Sequence, residues 1–212
     1  MYKIIAHRGM WKKAEEQNTS GALIDAIGCS FGFETDVRDY NGKLVISHNI
    51  ATASSICFDD LFGKIQGKSN GSIFALNIKA DGLIELLKDK LDEYHIENYF
   101  TFDMSVPQQI EYVNAGINVF TRQSEIEVTP ILYDEAKGIW IDGFYGYDWI
   151  TEGLLNEHIG NGKKICIVSP ELHQRKDYMD FWREIKDMRL DSKYIYICTD
   201  YPENAKEYFN EN

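Results

Sequence analysis

The chain has 212 residues, with 22 Lys+Arg against 34 Asp+Glu for a formal net charge of −12, and is 44% hydrophobic and 13% aromatic. That length can bury a sizeable core without disulfide or metal staples, and the aromatic content is too high for disorder. The negative charge excludes a general nucleic-acid binder, which needs positive stripes, but not a protein with a small anionic substrate.

In chain order, β-rich runs occur at Tyr2–Ala6, Gly32–Val37, Ser72–Ile78, Tyr99–Phe102, Asn118–Phe120, Gly138–Ile141, Lys164–Val168 and Tyr194–Cys198. Most are apolar on both alternating sides, as parallel strands covered on both faces should be. Helix signals fall between them. Thr19/Ser20 precede the apolar set Ala22, Leu23, Ala26 and Ile27, with Gly28 near the end. Leu83, Leu86, Leu87, Leu91 and Tyr94 form a stripe at helical spacing. Ser105 is placed to cap a helix with Pro107 in its first turn and Gly116 beyond its end, and Thr129-Pro130 and Asp200-Tyr201-Pro202 read as further starts. About eight β–α units of roughly 26 residues each predict an α/β chain of the compact (β/α)8 TIM-barrel class, as one domain over residues 1–212. Asn41-Gly42 between β-prone flanks predicts a small hairpin after the second strand, which would return His48 to the end of that strand.

No apolar run reaches the roughly 18 residues of a membrane helix, and the N-terminal apolar stretch is too short for a signal peptide. Cys29, Cys57, Cys166 and Cys198 lie far apart without metal-ligand spacing, as free thiols of a cytoplasmic protein would.

The strand ends carry the chemistry: His7-Arg8-Gly9, Glu34-Thr35-Asp36, Asn77-Ile78-Lys79, Asp103, Arg122, Asp142, Ser169-Pro170-Glu171 and Thr199-Asp200. Glu34 and Asp36 project to one side of a strand, and adjacent carboxylates need a cation or a proton between them. The competing reading is a solvated pair that partners Arg8 or Arg38. His7 and His48 have the chemistry for acid–base work, and the Arg8 fork suits a phosphate or carboxylate. Lys79 shares the face of Asn77 and would neutralise an anion or form a Schiff base. His95 and His158 sit late in helical stretches as expected partners of helix C-termini. Trp140, Phe144, Tyr145, Tyr147 and Trp149 would stack on a substrate or pack internally.

Taken in order, Ile5-Ala6-His7-Arg8-Gly9, Gln17-Asn18-Thr19, Phe33-Glu34-Thr35-Asp36-Val37 and Gly42-x-Leu44-Val45-x-x-His48 resemble the glycerophosphodiester phosphodiesterases. Asn77-Ile78-Lys79 and Cys198-Thr199-Asp200-Tyr201-Pro202 fit later motifs of that family. The resemblance implies a TIM barrel that hydrolyses a small glycerol- or sugar-linked phosphodiester with a divalent cation, Mg²⁺ or Ca²⁺. It implies His7 and His48 as general acid and base, Arg8 and Lys79 as phosphate contacts, and Glu34 and Asp36 as metal ligands, with Asn77 as a third. Three positions depart from the family pattern. Gln17 stands where a Glu is usual (unless Glu15 or Glu16 takes its place), Asn49 follows His48 in place of Asp, and Asn77 replaces a metal carboxylate. The alternatives are a Schiff-base lyase built on Lys79 and a non-catalytic phosphoglycan-binding descendant.

Overall fold

The computed structural model describes residues 1–68 and 71–211. In chain order the elements are β1 (Lys3–His7), α1 (Ser20–Gly28), β2 (Gly32–Tyr40), β3 (Lys43–Ile46), β4 (Ile56–Cys57), α2 (Phe58–Ile65), β5 (Phe74–Ile78) and α3 (Ile84–Glu93). Then follow β6 (Tyr99–Phe102), α4 (Val106–Asn114), β7 (Phe120–Gln123), β8 (Gly138–Ile141), α5 (Glu152–Gly160), β9 (Lys164–Val168), α6 (Tyr178–Asp187), β10 (Ile195–Thr199) and α7 (Pro202–Lys206). The expected β/α alternation is present. The chain divides into two compact units, one of residues 6–119 and the other of residues 1–5 with 120–212.

In the N-terminal unit β5 lies parallel between β2 and β6, with Asp36 opposite Asn77. The predicted hairpin is there. Asn41 and Gly42 both have positive φ (50° and 74°), the requirement of the two-residue turn that suits twisted strands. It pairs Tyr40 with Lys43 and Val37 with Ile46, so β2 runs three residues beyond the expected end at Val37. Phe33, Phe58, Phe62 and Phe74 fill the core beneath, with Phe58 and Phe62 stacked at 4.0 Å. Thr19 caps α1 by accepting the Ala22 N–H, and the Leu83, Leu87 and Leu91 stripe is buried. Ser105 occupies the N-cap position of α4, but its hydroxyl donates to Asp81 at 3.0 Å instead.

The C-terminal unit carries four parallel strands in the order β10-β9-β8-β7. Their Ile-rich faces (Ile139, Ile165, Ile167, Ile195 and Ile197) are fully buried, and α6 adds Phe181, Trp182 and Ile185. β7 lies later than the expected Asn118–Phe120, because the ladder with β8 begins at Phe120 opposite Gly138. No helix follows Thr129-Pro130. Residues 131–135 form turns, and Leu132 at φ 53° breaks any helical run. His158, expected at a helix terminus as a cation, is instead a buried core group. Its Nε2 lies 2.8 Å from Gln123 Oε1, its Nδ1 2.9 Å from the Tyr133 hydroxyl, and burial lowers its pKa. The four cysteines are free, and among the described residues no helix is long and apolar enough to cross a membrane.

Two stability measurements check this packing. A Cβ at Gly138 would stand 2.5 Å from both the Lys164 carbonyl and the Phe120 ring, so Gly138→Ala lowers the unfolding free energy by about 1–3 kcal/mol in a urea titration. A neutral His158 contributes stability fully above its unfolded pKa of about 6.5, and that contribution is lost as pH falls from there toward its lower folded value. The urea midpoint of wild type therefore falls more steeply than that of His158→Gln between about pH 7 and pH 5.5.

Candidate active site

The first functional turn is built by backbone constraint. Arg8 and Gly9 both have positive φ (55° and 88°), and a Cβ on Gly9 would lie 2.6 Å from the Ala22 carbonyl carbon. Only glycine lets this turn rest on the start of α1, where the Met10 N–H bonds the Ala22 carbonyl at 2.8 Å. The Arg8 N–H donates to the Glu34 carbonyl at 3.1 Å, tying the turn to β2. The Trp11 indole N–H donates to the His7 carbonyl at 2.9 Å.

β2 then supplies Glu34 and Asp36 on one side, and the register with β5 sets Asn77 beside Asp36. The Lys79 N–H bonds the Val37 carbonyl at 3.0 Å, which fixes the chain just past β5. The hairpin returns the chain so that the Ser47 N–H donates to the Asp36 carbonyl at 2.9 Å, and His48 follows. Local turns and one strand register thus bring His7, Arg8, Glu34, Asp36, His48, Asn77 and Lys79 to one end of the unit.

Asp36 is the hub. Its side chain is wholly buried, and Asn18 Nδ2 donates to Oδ2 at 2.7 Å. Arg8 Nε lies 3.3 Å from Oδ2, while His48 Nδ1 and Lys79 Nζ lie 3.3 and 3.5 Å from Oδ1. Arg8 also donates from Nη1 to Gln17 Oε1 at 3.0 Å and from Nη2 to His48 Nδ1 at 2.9 Å. Lys79 reaches Asp103 at 3.8 Å as well. Burial by itself would raise the Asp36 pKa, but Arg8, Lys79 and the Asn18 hydrogen bond outweigh it and hold the carboxylate below its ordinary range.

Glu34 goes the other way. Burial first, and the neighbouring Asp36 charge second, push its carboxyl well above the ordinary range. Its Oε2 accepts no hydrogen bond, and His7 Nε2 stands 3.9 Å away. Asn77 Oδ1 is likewise buried without a donor. Two acceptor oxygens without donors fit a hard cation, which oxygen ligands select. Asp36 differs, since its oxygens already face protein donors. Among the described residues no group of three His, Cys, Asp or Glu side chains is arranged to hold a metal ion.

Two contributors went unassigned in the sequence. Asn18, at φ 57°, donates to Asp36 and accepts the Thr35 hydroxyl at 2.7 Å, and Gln17 steadies Arg8. Their place in Gln17-Asn18-Thr19 was the available signal. Glu16 does not replace the missing Glu, because its carboxylate accepts the Lys12 and Lys13 backbone N–H groups at 2.8 and 3.1 Å.

The strand-end groups of the C-terminal unit also partner one another. His173 Nε2 lies 2.6 Å from Asp142 Oδ1, and Arg122 pairs with Glu127. Glu171 accepts the Ser169 and Thr199 hydroxyls and the Asp200 N–H. Of the aromatic residues there, Trp140 is buried, Tyr147 packs on Phe181 and Trp149 donates to the Gly146 carbonyl, whereas Tyr145 is exposed.

The split between the two carboxylates is measurable. Asp36→Asn leaves Arg8, Lys79 and His48 around a neutral amide and costs about 3–5 kcal/mol, the range for breaking a buried ion pair. Glu34→Gln, at a carboxyl whose Oε2 accepts no hydrogen bond, costs far less in the same urea titration. The Asp36 contribution is present above its unfolded pKa of about 3.9 and is lost as pH falls through its lower folded value. The stability gap between wild type and Asp36→Asn therefore closes in strong acid.

No family model matches the chain, and no curated protein matches it in sequence. Solved structures do match in fold. A glycerophosphodiester phosphodiesterase from Parabacteroides distasonis superposes with a TM-score of 0.76 at 17% identity, covering 99% of this chain and 97% of that one. A glycerophosphodiester phosphodiesterase from Thermotoga maritima gives 0.69 at 16% identity, covering 97% and 98%. A glycerophosphoryl diester phosphodiesterase from Parabacteroides distasonis gives 0.73 at 12% identity, covering 99% and 86%. The α/β class with mostly parallel strands, expected from the strand count, stands on this likeness over nearly the whole chain. The chain has the fold of the glycerophosphodiester phosphodiesterases.

Proposed function

We propose that the chain is a phosphoric diester hydrolase acting on a small glycerol- or sugar-linked phosphodiester. The observation that carries this reading is the convergence of Arg8, Lys79 and His48 on buried Asp36, beside His7 and Glu34, in a fold shared with phosphodiesterases. Arg8 and Lys79 are cations already gathered at one point, and a phosphoryl group presents its charge to such a pair. Hydrolysis forms a bond from a water oxygen to phosphorus and breaks the bond from phosphorus to the leaving alcohol's oxygen. One imidazole of His7 and His48 takes the water proton, and the other gives a proton to the departing alkoxide. The His48 ring is held in place for this by Arg8, and Asp36 sits behind both.

The resemblance also implies a divalent cation, Mg²⁺ or Ca²⁺. Glu34 Oε2 and Asn77 Oδ1 are the oxygens that would hold it, with Asp36 joining by releasing one of its protein donors. Such an ion supplies charge neutralisation at the phosphoryl oxygens. An amide in place of a third carboxylate makes the site a weak one. Asn77→Glu is therefore expected to tighten Mg²⁺ or Ca²⁺ binding in calorimetry.

The decisive assay is turnover of a panel of glycerophosphodiesters with and without EDTA. His7→Ala and His48→Ala each lower kcat by about 10²-fold or more, the usual contribution of a general acid or base, with an unchanged urea midpoint. Wild-type turnover in either variant removes that histidine from the chemistry. No turnover of any phosphodiester by wild type, with either cation supplied, refutes the hydrolase reading.

A further inference from the structure

A cavity of about 380 Å³ opens beside Arg8 and His48 and runs along the chain from Ser47 to Ile56. Its lining is unusual for a pocket next to a catalytic centre. Among the described residues that line it none is aromatic and none is acidic; the groups are hydroxyls, amides, three isoleucines, one alanine, and the Arg8 and His48 side chains.

The polar groups are fixed by each other and keep hydrogen-bonding capacity for a ligand. Ser55 Oγ accepts the Thr52 N–H at 3.0 Å, and Thr52 Oγ1 lies 2.9 Å from Ser54 Oγ, so the turn is rigid before anything binds. Gln17 gives its carbonyl oxygen to Arg8, which leaves its amide N–H pair for a ligand. A quaternary ammonium or amine head needs an aromatic face or a carboxylate to leave water, and this cavity offers neither. A polyhydroxylated head needs many donors and acceptors held in place, and this cavity offers them.

We propose that this cavity selects the alcohol esterified opposite the glycerol, accepting a neutral polyol such as inositol or a sugar and rejecting cationic heads such as choline. The proposal rests on the hydrolase reading for its catalytic consequence, although selection by the cavity is a property of binding. Arg8 at its inner end binds the phosphate, and its charge repels a cation placed alongside.

The test compares kcat/KM for glycerophosphoinositol and glycerophosphocholine, which share one phosphoglycerol half and differ in the head. The inositol diester is favoured by about tenfold or more, the scale of one misplaced charge. Ile50, 86% exposed at the rim, can be changed without disturbing the core. Ile50→Glu places a carboxylate at the mouth and narrows that preference severalfold by improving the choline diester, with the urea midpoint unchanged. A preference that is absent or reversed in wild type overturns the proposal and leaves the hydrolase reading standing. If no diester is cleaved, the hydrolase reading fails, and calorimetry decides the cavity by itself. myo-Inositol 1-phosphate must then bind about tenfold more tightly than phosphocholine, and equal affinity overturns the proposal.

Discussion

The site depends on one buried negative charge. Asp36 holds Arg8, His48 and Lys79 toward a single point, and without it three basic side chains would repel each other and spread into solvent. Ordering long cationic side chains costs conformational entropy, about 1.5–2 kcal/mol each for Lys and Arg. Here that cost is met on folding.

Glu34 shows the complementary solution. Two carboxylates on one strand face cannot both ionise in a buried place unless cations surround each. Asp36 takes the cations, and burial beside that charge pushes the Glu34 carboxyl pKa up. Environment, rather than residue type, moves the two carboxyl pKa values in opposite directions. The open oxygen of Asn77 lies on the same strand face, opposite Asp36.

Much of this arrangement was legible in the sequence. Alternation located every parallel strand to within a few residues, and Asn41-Gly42 announced the turn that brings His48 home, because few residue pairs accept two positive φ values. What escaped depended on distant partners. Asn18 and Gln17 are ordinary loop amides until Asp36 and Arg8 fold against them. Two-residue β4 has no period to detect, and it exists because Val45 and Ile46 offer it an edge. Ser105 stands at the N-cap of α4 as its sequence position indicates, yet Asp81 takes its hydroxyl. His158 has the spacing of a helix-end cation, while Gln123 and Tyr133, both remote in sequence, make it a neutral core residue.

Arg8, Asn18 and Asp103 all stand at the site with left-handed backbone (φ 55°, 57° and 66°). Non-glycine residues hold such angles at a cost, of order 1–3 kcal/mol where the fit is poor, and glycine would relieve it. Robustness and chemistry therefore pull this chain in opposite directions at those three positions. Glycine at those positions would relax the backbone and remove the side chains that gather around Asp36.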